Sequence, residues 1–345
     1  MGPTPLVKPQ LHTLHQVRNS ASEQSAKAIS ISGTVEAGGS DSTIASSAMA
    51  KTALTAGGAE NNLTPMEVVV PAFEVYKVGQ SMPLVSASNT ITVTIQGTVD
   101  FPGTSTIMVS GLAGTQTAAV AALVVGGAAS SLFGSAGAWS GSGTLILTLA
   151  SEGGLSAGTP YTLSFTLQNS ATAQAAVTVS VSGSVVSGGV DDSPVAAMNM
   201  DPDAGALLGV TNGASPLLTA AAFFLTKSVS HSSSLAGGSN EITLTLEADA
   251  LLPIGSIITV TGLTDSQTVD GSLPVTSSID SIFASDQGTW EQTPGTLELV
   301  LVAELAPATP VLVSFWVLPF PSPPPCPPFP LAPALSSSLP HSLNS

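Results

Sequence analysis

An internal duplication is the sequence feature that most constrains this fold. Residues 89–117 read NTITVTIQGTVDFPGTSTIMVSGLAGTQT, and residues 240–268 repeat the pattern without a gap as NEITLTLEADALLPIGSIITVTGLTDSQT, 151 residues later. Asn, Pro, the Gly-Leu pair and the final Gln-Thr pair keep their places in both copies. A period near 150 residues is too long for a solenoid and is typical of whole domains in an array.

Each copy reads as a series of short strands. Ile91, Val93 and Ile95 alternate with threonine and glutamine, and a period of two places the aliphatic side chains on one face of a strand. Gly and Pro separate the alternating segments, and no long helical pattern lies between them. The first copy has seven strand candidates, at residues 72–78, 89–96, 106–110, 119–125, 144–150, 161–168 and 176–186. This pattern predicts an all-β chain of tandem antiparallel β-sandwich modules.

The alternation also predicts the two cores. We expect buried side chains on the aliphatic and aromatic positions of both copies. In the first module these are Ile91, Val93, Leu147, Phe165 and Val179, and in the second they are Ile242, Leu244, Leu299 and Phe315. Trp139 and Trp290, which also correspond, are interpreted as core residues, with a sugar-stacking surface as the alternative.

The duplication predicts the domain boundaries. Residues 66–186 form module 1, and residues 216–318 form module 2, which is truncated because its last strand is missing. Residues 19–36 match residues 169–186, so they are interpreted as the orphan last strand of a preceding repeat. We expect linkers at 37–65 and 187–215, a leader at 1–18 and a disordered Pro-rich tail at 319–345. The loss of the repeat at both ends suggests a fragment of a longer array.

Composition excludes several functional classes. The chain carries six Lys and Arg against 22 Asp and Glu, a net charge of −16. Nucleic-acid binding needs clustered cations, so a nucleic-acid partner is not expected. The apolar run 118–129, within the uncharged stretch 101–151, is interpreted as a buried strand at 119–125 with an Ala/Gly-rich loop. It is too short for a membrane span. The N-terminal residues lack the apolar region of a signal peptide.

Few residues suggest a chemical site. Asn199, Asp201 and Asp203 alternate before Gly205, and such oxygen ligands suit Ca²⁺, although no distal Glu follows at the spacing of an EF-hand. The alternative is a solvated acidic linker. His12 and His15 are considered as a metal pair and interpreted as part of a solvated leader, since no third ligand is near. Asn62 begins a glycosylation sequon. No cofactor is expected, and no catalytic constellation is recognisable.

The repeated motifs resemble those of the tandem Ig-like or adhesin-like modules of large cell-surface proteins. The motifs that carry the resemblance are NTITVTI, SGLAGTQT, GAW, GTLILTL and YTLSFTLQN. The resemblance implies a non-enzymatic structural or adhesive role at the cell surface, with neighbouring modules, surface proteins or glycans as partners. A carbohydrate- or Ca²⁺-binding module is the alternative, and an enzyme is the least favoured reading.

The missing last strand of module 2 predicts an open sheet edge, with strand exchange between chains as one of its possible consequences. Prolines follow Leu318 where the strand would continue, and proline cannot donate ladder hydrogen bonds. Module 2 should therefore have an open sheet edge, which recruits strands. The orphan strand could fill that edge within one chain or between chains, or stay disordered.

Overall fold

The computed structural model describes residues 19–36, 41–50, 66–186, 192–235 and 238–318. Apart from two short 3-10 helices, the regular secondary structure within them is β-strand. The chain divides into two compact units, Met1–Ala222 and Phe223–Ser345. Among the described residues no helix is long and apolar enough to cross a membrane. The leader with His12 and His15, the sequon at Asn62 and the tail 319–345 lie outside the described residues.

The first unit begins with a two-stranded hairpin and continues with a sandwich. The hairpin pairs β1 (Ser30–Val35) with β2 (Ser42–Ala48). The sandwich contains β3 (Phe73–Gln80), β4 (Ser88–Gly97), β5 (Phe101–Pro102), β6 (Thr106–Ser110), β7 (Val120–Gly126), the 3-10 helix η1 (Ser130–Phe133), β8 (Ala136–Trp139), β9 (Leu145–Thr148), β10 (Gly154–Leu155), β11 (Tyr161–Gln168), β12 (Ser180–Val185), β13 (Ser193–Asn199) and β14 (Asp201–Pro202).

The main sheet of this sandwich closes on itself. Its strand order is β13-β12-β6-β9-β8-β7-β11-β4-β3-β14. The first and last strands of that order are consecutive in the chain, separated only by the buried Met200. The sheet must therefore curl until its two ends meet. β5 and β10 form a separate two-stranded sheet.

The second unit is a smaller sandwich of the same kind. Its elements are β15 (Phe224–His231), β16 (Asn240–Ala248), β17 (Ile257–Val260), β18 (Gly271–Ser277), the 3-10 helix η2 (Ala284–Asp286), β19 (Gln287–Glu291), β20 (Thr296–Val300) and β21 (Val311–Val317). The order β15-β16-β21-β18-β19-β20-β17 repeats the order β3-β4-β11-β7-β8-β9-β6 of the first unit. The predicted fold class, tandem β-sandwich modules, is confirmed by this repetition.

The predicted cores are confirmed as well. Every core position predicted from the alternation is buried: Ile91, Val93, Leu147, Phe165, Val179, Ile242, Leu244, Leu299 and Phe315. The alternation works because each strand buries one face only, so side chains two residues apart meet the same environment. Trp139 and Trp290 are buried too, which supports their interpretation as core residues.

The prediction of a linker at 187–215 is wrong for the residues of that range that the structure describes. Its Asp, Pro and Gly content indicated a loop, yet β13 pairs with β12 and β14 pairs in parallel with β3. Residues 213–217 are buried. An edge strand tolerates proline, and the free edge of β12 supplies hydrogen-bond partners that local composition does not reveal. The first unit extends to Ala222, so residues 216–222 belong to it and not to module 2.

Two further interpretations need correction. The segment 19–36 is not a lone last strand, because β1 forms a hairpin with β2, which lies in the predicted linker 37–65. The stretch 119–125 does form a strand, β7, but most of its side chains are exposed rather than buried. Small Ala side chains and the absence of charge do not distinguish an uncovered strand from a buried one.

Candidate functional site

The predicted cation ligands lie on two different strands. Asn199 ends β13, where it pairs with Ser180, and Asp201 begins β14, where it pairs with Lys77 of β3. Asp203 follows β14 and is held by its backbone N–H, which donates to the carbonyl oxygen of Val78 at 2.8 Å. All three side chains are exposed.

A groove of about 500 Å³ brings two of these three residues together with others that the sequence did not single out. Its lining includes Lys77 of β3, Thr92 and Thr94 of β4, Asp201 of β14 and Asp203, which follows β14. Asn199 does not line the groove. Asp203 Oδ1 accepts a long hydrogen bond of 3.4 Å from the N–H of Gly205.

The chemistry of the groove favours hydrogen bonding over ion coordination. Ca²⁺ takes six to eight oxygen ligands, whereas a lysine ammonium supplies no acceptor and repels a cation. Within the described ranges no group of three His, Cys, Asp or Glu residues could hold a metal ion. Lysine donates hydrogen bonds, carboxylates accept them and threonine hydroxyls do both, so this set of residues is chemically able to hydrogen-bond a polyol. The Ca²⁺ hypothesis stays a prediction.

A buried polar network closes the same end of the first unit. Asn89 Nδ2 donates to Gln80 Oε1 and to Asn169 Oδ1, at 2.8 Å each. Gln80 Nε2 donates in turn to the carbonyl oxygens of Gly213 and Leu218, at 2.7 and 2.8 Å. These bonds tie the returning segment 213–218 to β3 and β4. The sequence carries a signal for this network, because Asn89 recurs as Asn240 and Asn169 recurs as Asn19. The duplication alone does not show that Asn89 and Asn169 bond to each other.

Among the described residues of the second unit this network is not repeated. The register of β15 places His231 opposite Ile242, as Gln80 lies opposite Ile91, so an exposed imidazole replaces the buried amide. Asn240 is only partly buried, and its Oδ1 accepts one bond, from the N–H of Ser233.

The two tryptophans make the same hydrogen bond in both units. Trp139 Nε1 donates to the carbonyl oxygen of Thr117 at 3.1 Å, and Trp290 Nε1 donates to that of Thr268 at 2.9 Å. A buried indole with its N–H satisfied inside the domain offers no ring face for a sugar.

Comparisons with known proteins give a limited result. No protein-family model matches this sequence, and no curated protein matches it. Among solved structures, the C-terminal domain of the AgI/II polypeptide BspA from Streptococcus agalactiae is similar over 72% of this chain and 91% of that chain. Its sequence identity is 12% and its TM-score is 0.31.

Proposed function

We propose that this chain is a non-enzymatic structural repeat protein that acts as a spacer or adhesive element at the cell surface. The observation that carries the proposal is what the duplication preserves. The corresponding residues of the two units, such as Trp139 and Trp290, occupy cores and turns and make the same internal bonds. The groove residues Asp201 and Asp203, by contrast, align with Ala50 and Thr52 in the earlier copy of their segment.

The two copies share the residues that stabilise their cores, while their exposed residues differ. The property they have in common is therefore a stable fold. Spacers need that property because each module must hold its length independently. The low fraction of charged residues, 8%, and the high content of Thr and Val suit sheets that are stable without metals or disulfides.

Extension of single full-length chains between a surface and a probe tests the spacer role. We expect two all-or-none unfolding events, and each should release a contour length close to that of 100 to 150 residues, about 3.5 Å per residue. Gradual extension without separate events would contradict the proposal, as would a tight, saturable small-molecule ligand for the full chain.

The second candidate is carbohydrate binding at the groove of β3, β4 and β14. The observation that favours it is that hydrogen-bond donors and acceptors, on residues such as Lys77, Thr92 and Asp203, line one groove. A glycan array probed with the full chain, together with calcium titration, tests it. The double variant Asp201→Asn and Asp203→Asn should abolish any glycan signal. The matched control, Glu152→Gln with Asp192→Asn, removes two exposed carboxylates outside the groove and should leave it unchanged.

A further inference from the structure

The β1–β2 hairpin is a second copy of the β12–β13 hairpin. Ser30 pairs with Ala48 and Gly33 with Ile44, just as Ser180 pairs with Asn199 and Gly183 with Val195. Both hairpins have a register shift at the same place, between Ile31 and Gly33 and between Val181 and Gly183.

The segment after each hairpin repeats as well. Gln24 forms an antiparallel bridge with Val68, as Gln174 does with Thr219. Gln24 Nε2 donates to the carbonyl oxygen of Met66, as Gln174 Nε2 donates to that of Leu217. The described residues of 19–36, 41–50 and 66–70 therefore repeat the local structure of their counterparts in 169–186, 192–201 and 217–221.

In the first unit the β12–β13 hairpin covers the edge of β6. Val181 lies opposite Val109, and Ser184 lies opposite Thr106. The hydroxyls of Ser180 and Ser110 are 2.9 Å apart. The hairpin packs its apolar side chains into the sandwich, so that Val181 is fully buried and Val195 is 3% exposed.

The β1–β2 hairpin carries matching apolar side chains, but nothing in the described chain covers them. Ile31, the counterpart of Val181, is 62% exposed, and Ile44, the counterpart of Val195, is 56% exposed. Ile29, Val35 and Met49 are exposed as well, while their counterparts Val179, Val185 and Met200 are buried. An exposed apolar face of this size on an isolated hairpin is marginal in water and marks an interaction surface.

The edge that such a hairpin would cover is present in the second unit. β17 corresponds to β6 and is the terminal strand of its sheet. It pairs with β20 on one side, and no described strand pairs with its other side. Ile257 is 59% exposed there. A terminal strand with unpaired backbone groups and exposed apolar side chains is a template for strand addition.

Gly33 provides an independent indication. A Cβ added to its counterpart Gly183 would lie 2.6 Å from the carbonyl oxygen of Thr106, so the approach of β12 to β6 requires glycine. A Cβ on Gly33 would meet only ordinary contacts, the nearest being Ile44 Cδ1 at 3.5 Å. The β1–β2 hairpin thus has glycine at a position where its own visible contacts do not require one.

We propose that the β1–β2 hairpin of one chain adds to the β17 edge of a second copy of the chain, with Ile31 opposite Val260 and Thr34 opposite Ile257. The register follows from that of β12 on β6. The order of elements favours a second copy as the occupant. In the first unit a sandwich is followed by its covering hairpin and then by the next sandwich, and head-to-tail contact restores that order between copies.

Such a contact is heterologous, so it builds open chains of molecules rather than closed dimers. Each copy carries a net charge of −16, so repulsion between copies opposes the contact at low ionic strength. Salt screens this repulsion, and association should strengthen as salt is raised to about 0.15 M and beyond.

Sedimentation velocity of the full chain over a range of concentrations tests the proposal. The wild type should form a concentration-dependent series of oligomers. Ile31→Lys places a charge on a face that would be buried, and Gly33→Ala adds the Cβ that the docked register excludes. Each should weaken association by about tenfold or more. The matched control Ser46→Lys, at a position whose counterpart Ala197 remains exposed, should associate like the wild type.

The edge is tested in the same way. Ser256 is partly exposed, and its counterpart Ser105 is fully buried, with its Oγ accepting from the N–H of Val186 at 3.0 Å. Ser256→Lys should therefore weaken association by about tenfold or more. Thr259→Lys is the control on the same strand, since its counterpart Met108 stays exposed in the first unit.

Mixing the variants gives the most specific result. Ile31→Lys has an intact edge, and Ser256→Lys has an intact hairpin, so an equimolar mixture can form one junction and should stop at a dimer. A wild type that stays monomeric at every concentration, including one that closes the contact within a single chain, would overturn the proposal. Association that persists in both variants would also overturn it. Circular dichroism of each variant checks that the fold is retained, and Gly33→Ala replaces Ile31→Lys in the mixture if the latter misfolds.

Discussion

The two units have the same seven-strand arrangement, but they differ at its margins. In the first unit β12 and β13 cover the edge of β6, and β14 covers the edge of β3. In the second unit the corresponding strands β17 and β15 are both terminal. The inner strands depend on residues that the duplication repeats, whereas the margins depend on the segment that follows each sandwich. The core and the edges of this fold are therefore specified by different parts of the chain.

The first and largest expected effect tests whether the two cores are equivalent. Phe165 faces Ile91 across β11 and β4, and Phe315 faces Ile242 across β21 and β16. Both rings are buried. Replacing either one with alanine removes a large buried side chain and should lower the free energy of unfolding of its own unit by about 3–5 kcal/mol.

Urea denaturation of the full chain, followed by tryptophan fluorescence, measures this cost. Trp139 reports on the core of the first unit and Trp290 on that of the second, while Trp316 is already 58% exposed in the folded chain. Two transitions are expected, and each substitution should move only one. If either substitution shifted both transitions to lower urea concentration, the two units would not unfold independently. A melting curve unchanged by Phe165→Ala would mean that the assigned strand phase is wrong.

The strands and cores could be predicted from the sequence because alternation is a local signal. Val93 and Leu244 needed only their neighbours in the chain to be assigned to a core. The groove could not be predicted in this way. Asp201 meets Lys77 through a parallel pairing across more than one hundred residues, and that pairing depends on how the closed sheet brings its two ends together.

The same limit explains the misread linkers. β2 is rich in Ser and Ala, β13 contains Ser, Pro and Ala, and neither alternates strongly, so composition favoured a loop. They become strands because β1 and β12 offer unpaired backbone groups beside them. An edge strand is stabilised mainly by its neighbour, and its own sequence carries little of that information.

The second prediction concerns the buried amide network of the first unit, which has no equivalent among the described residues of the second. Asn89→Ala would leave the N–H of Met82 and the side-chain oxygens of Gln80 and Asn169 without their partner. The N–H of Ser81 would lose one acceptor but keep its bond to the carbonyl oxygen of Thr90 at 3.0 Å. Unsatisfied buried groups cost about 1–3 kcal/mol each when water cannot reach them, and partial relaxation should reduce the total to about 3 kcal/mol.

Asn240→Ala is the matched control in the second unit. Its side chain accepts one bond, from the N–H of Ser233, and is partly exposed, so its loss should cost about 1 kcal/mol or less. Urea denaturation of both variants gives the comparison. Equal costs would show that the network adds nothing beyond the single turn bond, and the closed margin of the first unit would then need another explanation.

The smallest effect tests the bond that the two units share. Trp139→Phe and Trp290→Phe keep an aromatic ring in the core but remove the N–H that donates to Thr117 or Thr268. The carbonyl oxygen loses one donor, and the smaller ring leaves a little space, so each change should cost about 1–2 kcal/mol. The costs should agree between the units because the two bonds, at 3.1 and 2.9 Å, join corresponding residues in the same geometry. Since each substitution removes a fluorescent indole, circular dichroism replaces fluorescence as the probe in urea. A clear cost in one unit and none in the other would mean that the duplicated tryptophans no longer serve the same structural purpose.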